Sequence, residues 1–252
     1  MPELSYQLYC SRNFPPLSDT LAMLADAGFK TVEGYGALFA GLDDLGKLKA
    51  ELDRNGLAMT SGHFALQMVQ DDPDRVKMIA RTLGIEAVFV PHLAAEDRPD
   101  DAAGWAKFGR TLAEAGKPLR DAGLDFGWHN HEFEFAALNG AEQPLDLILG
   151  TDDTLSLEFD VAWAVRAGED PMHWIKRYGN RITAAHVKDI APAGTATDED
   201  GWADPGHGTM DWAGLYAALL HAGCKRFVLE HDNPKDHARF ARRSFAFMKA
   251  LT

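Results

Sequence analysis

Acidic and imidazole side chains stand where apolar runs end in the second half of this sequence. Asp160 closes the run LSLEFD, His186 lies near the end of ITAAHVKD, and Glu230 closes RFVLE. A further run, FGWHNHEFEF, carries two histidines and two glutamates, namely His129, His131, Glu132 and Glu134. Carboxylates together with one or two imidazoles suit a hard or borderline divalent cation and leave positions open for substrate oxygens. The pattern therefore predicts an enzyme with a metal site.

Asp160, His186 and Glu230 are the predicted metal ligands. Because successive side chains of a strand alternate between its faces, Glu158 shares a face with Asp160. Two carboxylates that point into a barrel need a cation or hydrogen bonds to satisfy them. A helix cap is the alternative role for Asp160 and Glu230, and a structural role in the core is the alternative for His186.

The run FGWHNHEFEF supplies the fourth ligand in this hypothesis. We expect Glu134 to bind the metal, and His131 is the alternative at that position; it is also a candidate to contact the substrate or act as a base. Glu230 or Glu134 is the expected base, since a general base must lie within hydrogen-bond reach of the proton that it takes. His131, His63 and Lys188 are candidates to move protons or to hold substrate oxygens.

Other residues near the ends of the runs are predicted to contact the substrate, with a structural role as the alternative for each. Trp163 and Trp202 offer apolar faces for a sugar ring. Gly206-His207-Gly208 is typical of a tight turn, and no GKS or GKT follows it as in a phosphate-binding P-loop. The predicted substrate-binding residues are Glu33, His63, His129, Glu158, Trp163, Lys188 and His207.

Short β-rich runs, each preceded by a helix and a glycine, must position these residues. Gly28, Gly56 and Gly84 are spaced by 28 residues, and a glycine just past a helix adopts the left-handed conformation that closes it. With an opening strand near Tyr6–Tyr9 and another near Leu155–Phe159, the runs amount to eight strands. Strands that alternate with helices pair in parallel through right-handed crossovers. The sequence therefore predicts an α/β fold, a (β/α)8 TIM barrel.

Cap signals place the helices between these strands. The expected helices are Ser18–Ala27, Asp43–Asn55, one opening at Asp72-Pro73, Asp100–Ala122, one opening at Asp170-Pro171, Asp211–Ala222 and Lys235–Leu251. The longest irregular stretch, Ala191–Thr209, follows the seventh strand, on the rim where barrel enzymes build their sites. We expect this loop to cover the substrate, and we expect residues 1–252 to form a single domain.

Composition and charge narrow the class of protein. Of 252 residues, 46% are hydrophobic and 25% are charged, as in ordinary soluble proteins. The net charge of −13 argues against nucleic acid and anionic membranes as partners, and no apolar run approaches the roughly 20 residues that span a bilayer. The start of the chain lacks the features of a signal peptide. Cys10 and Cys224, without a CxxC motif, favour a cytoplasmic location and a metal site without thiolates.

Several of these motifs resemble those of the xylose isomerase-like TIM-barrel superfamily, in particular its sugar phosphate isomerase/epimerase group. They are WHNHEFEF, LEFDVAWAVRAGEDP, RITAAHVKD, GHGTMDW and VLEHDNP, and the early GFKTVEGY and SGH fit the same pattern. The resemblance, which covers essentially the whole chain, implies one divalent metal ion (Mn, Mg, Co or Zn) held by Glu, Asp, His and Glu from strands five to eight. The last three correspond to Asp160, His186 and Glu230.

Two departures argue against one branch of that superfamily. Its ketose epimerases place the first glutamate within the fifth strand, where this chain has Gly127-Trp128-His129. Three residues after the metal aspartate they commonly have a histidine, where this chain has Trp163. A ketohexose 3-epimerase is therefore disfavoured.

The preferred hypothesis is a metal-dependent isomerase or epimerase of a keto-sugar or related polyol derivative. It would remove the proton alpha to a metal-bound carbonyl and form an enediolate. The alternative is a sugar or inosose-type dehydratase or lyase, which expels a β-hydroxyl or a glycoside from the same intermediate. An AP endonuclease shares this architecture but needs a basic groove, which the net charge disfavours, and a non-catalytic sugar-binding module is a further alternative. The expected partner is a small carbohydrate, and the sequence is compatible with a homo-oligomer.

Overall fold

The computed structural model describes residues 2–41, 44–138 and 142–252. Within these residues, parallel strands close into an eight-stranded barrel and two further strands form a small antiparallel sheet. The strands are β1 (Glu3–Gln7), β2 (Thr31–Gly34), β3 (Ala58–His63), β4 (Ala87–Val90), β5 (Asp125–His129), β6 (Ser156–Asp160), β7 (Ile182–Val187), β8 (Asp189–Ile190), β9 (Trp202–Ala203) and β10 (Arg226–Leu229). Around the barrel the order is β1-β10-β7-β6-β5-β4-β3-β2, and β8 pairs with β9. The predicted (β/α)8 TIM barrel is confirmed.

Helices connect the strands and surround the barrel. They are α1 (Leu17–Ala27), α2 (Gly36–Ala40), α3 (Leu45–Arg54), α4 (Leu66–Asp71), α5 (Pro73–Leu83), α6 (Ala102–Arg120), α7 (Pro144–Leu149), α8 (Val161–Arg166), α9 (Pro171–Tyr178), α10 (Trp212–Ala222) and α11 (His237–Leu251). Aspartate carboxylates accept a hydrogen bond from a first-turn backbone N–H at several starts, including Asp72 and Asp170 before the predicted prolines. The predicted start of α3, Asp43, lies outside the described residues, and Asp44 caps that helix.

The first strand lies earlier than predicted. Tyr6–Tyr9 was the expected position, but β1 ends at Gln7 and a 3₁₀ helix follows at Leu8–Ser11. The side-chain oxygen of Gln7 accepts a hydrogen bond from Tyr9 N at 3.1 Å and turns the chain away from the sheet. The short helices α2, α4, α7 and α8 were not predicted, because one and a half turns carry little periodic signal.

Glycines end two of the long helices in the predicted way. Gly28 follows α1 with φ +104° and Gly84 follows α5 with φ +88°. Both residues occupy the left-handed region that is readily open to glycine. Each turns the chain toward the next strand and thereby sets where that strand enters the barrel.

The barrel interior has an apolar middle and polar ends. Ala87 and Phe89 of β4 form a small buried cluster with Ala184 of β7. These strands are three positions apart around the barrel, so the cluster lies inside it. At the amino end, Arg226 of β10 reaches Glu86 at 2.6 Å across the barrel. At the carboxyl end, buried acids and histidines take the place of apolar side chains.

None of the helices in the described ranges is both long enough and apolar enough to cross a membrane.

Candidate active site

A cavity of about 690 Å³ opens at the carboxyl ends of the barrel strands. This is the face on which TIM-barrel enzymes carry their active sites. The volume falls within the range of small-molecule sites. Side chains from the ends of many strands line it, and they include Tyr9, Tyr35, His63, His92, His129, His131, Trp163, Arg166, Trp202, Glu230 and Asp232.

Four buried side chains meet at the base of this cavity. His129 ends β5, Asp160 ends β6, His186 lies in β7, and Glu230 follows β10 directly. Each of the four offers a ligand atom, and these atoms lie within 4.8 Å of one another. His186 Nδ1 is 2.8 Å from Glu230 Oε2 and 4.0 Å from Asp160 Oδ2. The structure thus brings together Asp160, His186 and Glu230 as the sequence pattern predicted, and it adds His129.

Asp160 has two carboxylate oxygens with different surroundings. Oδ1 accepts a hydrogen bond from Trp163 N at 3.0 Å and caps α8. Oδ2 is buried and has no hydrogen-bond partner among the described residues. The side chain of Asn130 holds the strand end in place, because it bonds to both the N–H and the C=O of Asp160. The cap role therefore occupies Oδ1, and Oδ2 faces the Lys188 ammonium at 3.1 Å.

A second layer of buried carboxylates lies beneath these residues. Glu33 Oε1 is 2.8 Å from His186 Nε2, and Glu158 Oε2 is 3.0 Å from His129 Nδ1. His63 Nε2 lies 2.5 Å from Glu158 Oε2 and 3.3 Å from Glu33 Oε1. Glu33 and Glu158 were predicted to contact the substrate, but both are fully buried. They contact the imidazoles instead, and the expectation is corrected accordingly.

The lower layer offers a second position for a cation. Ligand atoms of His63, His129, Glu158 and His186 also lie within 4.8 Å of one another. There Glu158 Oε2 is already engaged by His63 and His129. The upper group differs because Asp160 Oδ2 lacks a hydrogen bond and Glu230 borders the cavity.

Lys188 is fully buried among acids. Its Nζ lies 3.1 Å from Asp160 Oδ2, 2.9 Å from Glu230 Oε2 and 3.1 Å from Asp232 Oδ2. The hydrogen bonds go to both oxygens of Asp232. Burial opposes the charge, but the three carboxylates raise the pKa of Lys188 well above its ordinary value. The predicted substrate contact of Lys188 is replaced by an ion-pair role, since its side chain does not line the cavity.

Glu134 and His131, the predicted alternatives for the fourth ligand, face different surroundings. Glu134 Oε1 accepts from Trp128 Nε1 at 2.8 Å and Oε2 accepts from His131 N at 2.9 Å. Both oxygens are taken, and Glu134 belongs to neither group of possible ligands. Its burial raises its pKa to about 8. The hydrogen bonds of Glu134 disagree with its predicted role as a ligand and base, and His129 is the residue of β5 that lies among the possible ligands.

His131 lines the cavity, and its Nδ1 is buried without a partner among the described residues. Burial, followed by the influence of His129 and Lys188, lowers the pKa of His131 well below its ordinary value. The imidazole is therefore neutral at pH 7 and can accept a proton.

The loop 191–209 reaches the cavity, as the sequence suggested. Asp200 and Trp202 line it, and the Arg166 guanidinium donates to Asp200 O at 2.5 Å. The guanidinium also covers the Trp202 ring at 3.2 Å from its centroid, and Trp202 is only 1% exposed. The expectation that Trp202 presents a free face to a sugar is thus corrected, whereas Trp163 borders the cavity and is partly exposed.

His207 does not reach the cavity. It is exposed in a turn, where its N–H donates to Asp204 O at 2.9 Å. Asp189 holds the neighbouring turn, because its carboxylate accepts from Gly206 N and Gly208 N. A Cβ on Gly208 would lie 2.2 Å from Asp189 Oδ1, so glycine is required there. His207 was predicted to contact the substrate, but it lies on the outer surface.

Several cavity residues were missed by the sequence reasoning. Tyr35 stands directly after β2 and His92 stands two residues after β4, so a search of every strand end would have found them. Asp232 stands two residues after Glu230 and was not considered as a cavity residue. Arg166 closes the short helix α8 and carries no local signal.

Comparison with known proteins agrees with this fold. The family described as xylose isomerase-like TIM barrel matches residues 21–251. An inosose dehydratase of Lacticaseibacillus casei is 26% identical over 172 residues, covering 59% of this chain and 56% of that protein. The chain thus spans about half the length of the curated relatives that it matches.

Solved structures superpose over nearly the full chain. A sugar phosphate isomerase/epimerase from Parabacteroides distasonis has a TM-score of 0.83 at 20% identity, with 99% of this chain and 94% of that chain covered. The IOLI protein, solved with a zinc atom, has a TM-score of 0.73 at 18% identity, with 99% and 96% covered. At such identities the likeness shows the fold alone. Together with the match over residues 21–251, these findings establish that the chain belongs to the xylose isomerase-like TIM barrel family.

Proposed function

We propose that this protein is a divalent-metal-dependent isomerase or epimerase of a keto-sugar or related polyol derivative. It would act by removing the proton alpha to the carbonyl of its substrate. The observation that carries the proposal is the meeting of His129, Asp160, His186 and Glu230 at the base of the cavity. Two carboxylates and two imidazoles, of which His129 and Glu230 border a substrate-sized space, suit a catalytic rather than a closed structural cation site.

The residues fit such a cation on grounds of their own geometry. Asp160 Oδ2 is buried and makes no hydrogen bond within the described residues, and the Lys188 ammonium 3.1 Å away is shared with Glu230 and Asp232. One ammonium among three carboxylates leaves negative charge that a divalent cation would compensate. When bound, the cation would supply Lewis-acid stabilisation of charge on the carbonyl and a neighbouring hydroxyl of the substrate. The zinc atom in the IOLI structure is consistent with a borderline cation in this fold.

The second layer of carboxylates orients the two imidazoles for this role. Glu33 faces His186 Nε2, which leaves Nδ1 directed toward Asp160 and Glu230. Glu158 faces His129 Nδ1, which leaves Nε2 for the upper group. Ligating histidines commonly donate their second nitrogen to a carboxylate, which fixes the tautomer and the ring orientation.

His131 is the proposed acceptor of the substrate proton. Its ring lines the cavity beside His129, with 5.1 Å between the ring centroids. Glu230 fits this role less well, because its Oε2 is engaged by His186 at 2.8 Å and by Lys188 at 2.9 Å. Asp232 also contacts Lys188, but burial raises its pKa to about 6 and it borders the cavity, so it is the proposed second acid–base group that an epimerase or isomerase requires.

A dehydratase is the second candidate, and the similarity to inosose dehydratases favours it. The same proton would be removed, and a β-hydroxyl would then leave as water. The group that returns a proton to carbon in an isomerase would instead protonate the departing hydroxyl. The two reactions therefore share their first step and differ in the mass of the product.

The experiment that tests the proposal uses the Mn²⁺-loaded protein in deuterated water. A panel of keto-sugars and an inosose would be followed by NMR and mass spectrometry. We expect deuterium to enter one carbon next to the carbonyl, with product composition otherwise unchanged for an isomerase or epimerase. Loss of one water would identify the dehydratase instead.

His131→Gln, with Leu220→Ala on the outer surface as the matched control, separates the proposed base from a general effect of substitution. Deuterium entry should fall in the first variant alone. Absence of label and of product with every member of the panel would overturn the proposal and favour a non-catalytic binding protein.

A further inference from the structure

We propose that the cavity accepts an uncharged carbohydrate that carries a second ring, that is, a neutral glycoside rather than a free or phosphorylated monosaccharide. This inference rests on the proposed function, since the reacting sugar is taken to lie over His129, Asp160, His186 and Glu230. The size of the cavity, its two aromatic walls and its charge balance each support it.

The cavity is larger than one sugar ring needs. Its volume of about 690 Å³ lies in the middle of the range of pockets that hold drug-sized ligands of several rings. A single hexose placed on the polar base would leave much of the outer cavity to water. A ligand with a second ring fills this outer part and removes apolar side-chain surface from water.

Aromatic side chains stand on opposite sides of the mouth. Tyr35 follows β2 directly, and Trp163 lies in α8 directly after β6. In the closed ring of eight strands, β2 and β6 are four positions apart in either direction. Tyr9 packs edge-on against Tyr35, with 5.6 Å between ring centroids. The Arg12 guanidinium covers one face of the Tyr9 ring, 3.8 Å from its centroid. One wall can therefore contact the reacting sugar, while Tyr35 and the uncovered side of Tyr9 can contact a second ring.

The two aromatic walls differ in their exposure and in their distance from the polar base of the cavity. Trp163 stands close to the polar base, since Lys188 Nζ lies 5.1 Å from its ring centroid. Tyr9 is 37% exposed and Tyr35 is partly exposed, and both border the cavity after β1 and β2, on the side of Glu230 away from His186 and Asp160. The tyrosine wall is thus the one that remains available after a sugar has occupied the base.

The charges of the base disfavour a phosphate. Asp160, Glu230 and Asp232 carry three negative charges, as many as Lys188 and one divalent cation can balance, and Glu33 and Glu158 add two buried carboxyl groups beneath them. Lys188 is engaged by all three carboxylates. Arg166, the arginine among the described cavity residues, is covered by Trp202 and donates to Asp200 O. A phosphate dianion at the base would face these three acids, and the lysine there is already paired with all of them.

Three matched probes test this inference with the Mg²⁺-loaded protein. D-Fructose, D-fructose 6-phosphate and lactulose share one ketose unit, and the second adds a phosphate while the third adds a neutral ring. Saturation-transfer NMR titrations give each dissociation constant. We expect lactulose to bind about tenfold more tightly than fructose, the scale of one added ring contact, and fructose 6-phosphate to bind no more tightly than fructose.

Substitution of Tyr9 separates a specific contact with the second ring from nonspecific binding of the larger ligand. Tyr9→Ala should bring the lactulose-to-fructose ratio of dissociation constants close to one. Leu220→Ala is the control, because Leu220 on the far surface is also 37% exposed, and the ratio should stay unchanged. Tightest binding of fructose 6-phosphate, equal binding of fructose and lactulose, or no binding of any probe would overturn the inference.

Deuterium exchange in the same samples tests the proposed function separately. Deuterium exchange into fructose, with lactulose binding no more tightly than fructose, would overturn the two-ring inference and leave the proposed function intact. A lactulose advantage without exchange into any ketose would support the two-ring cavity and count against proton abstraction.

Discussion

Two buried cations flank the same strand, β7, and their partners differ. At the amino end, Arg181 donates to three backbone carbonyls, those of Leu155, Leu149 and Asp152, at 2.6, 3.0 and 2.8 Å. At the carboxyl end, Lys188 meets the three carboxylates of Asp160, Glu230 and Asp232. Both cations are buried, so exposure does not distinguish them.

The different partners of Arg181 and Lys188 indicate a different role for each end of the barrel. The carbonyl groups that Arg181 binds are neutral, so they leave no charge to be balanced. The three hydrogen bonds attach the segment before β6 to the start of β7. The carboxylates around Lys188 carry more charge than one ammonium can neutralise, and Asp160 Oδ2 still lacks a hydrogen bond within the described residues. The amino end is therefore satisfied by the protein itself, whereas the carboxyl end keeps capacity for a further cation.

The largest effect is expected from removing a proposed ligand at the carboxyl end. His186→Ala should lower turnover by at least about 10³-fold, since a cation supplies several kcal/mol of charge stabilisation. The bound metal per protein, measured by elemental analysis after gel filtration, should fall close to zero. The circular dichroism spectrum should remain that of the barrel. A variant that retains full metal occupancy would contradict the assignment.

Replacing Lys188 or Arg181, the two cations that flank β7, by methionine tests this difference between the two ends of the barrel. Lys188→Met leaves buried acids without their counter-charge, so the metal-free protein should lose about 3–5 kcal/mol of unfolding free energy in urea. Arg181→Met removes three hydrogen bonds to backbone carbonyls, of which Asp152 O keeps the bond from Leu155 N, and we expect a loss of about 3 kcal/mol. Mn²⁺ should recover stability in the Lys188 variant much more than in the Arg181 variant. Equal recovery in both would remove the distinction between the two ends.

Removing a carboxylate behind the ligands should have a smaller effect. Glu33→Gln keeps the shape but not the charge that faces His186 Nε2. Such second contacts are typically worth about 10- to 100-fold in metal affinity, and competition with a fluorescent chelator would measure it. Glu86→Gln is the control, because Glu86 is the partner of Arg226 at the amino end. An affinity change of the same size in the control would show that the effect is not local.

Strand ends were the part of the site that the sequence could predict. Asp160, His186 and Glu230 each close an apolar run, and parallel strands bring such ends to one rim. The fold followed from the same alternation of runs and helix–glycine segments. These features are local, and periodicity and cap chemistry are sufficient to place them.

Contacts across the barrel could not be predicted in this way. Whether Glu33 meets a substrate or His186 Nε2 depends on the distance between β2 and β7, which no local pattern encodes. Glu134 failed for a related reason: a 3₁₀ turn after β5 directs its carboxylate to Trp128 and His131 N. The fourth ligand and the carboxylates that orient the imidazoles can therefore be identified only from the assembled barrel.

The smallest expected effect concerns the loop over the carboxyl end and its dependence on pH. Glu199 Oε1 accepts from Arg239 Nη2 at 2.8 Å and from Lys235 N at 2.7 Å, which ties the loop to α11. Burial would raise the pKa of Glu199, but these bonds outweigh it, so its pKa lies below its ordinary value of 4.5. A carboxyl with a depressed folded-state pKa stabilises the fold above the unfolded-state pKa, and this stabilisation is lost as pH falls through the folded-state value.

Glu199→Gln should therefore cost about 0.5–1 kcal/mol of unfolding free energy at pH 7, a modest amount because the ion pair is partly exposed. The difference from the wild type should shrink once the pH falls below 4.5 and should vanish below the folded-state pKa of Glu199. Urea titrations at a series of pH values would measure both curves. Glu96→Gln, in an exposed turn on the same face of the barrel, should show no such convergence. A gap between wild type and Glu199→Gln that widens with acid would mean that the carboxylate does not hold the loop, and the carboxyl end would then depend on its buried charges alone.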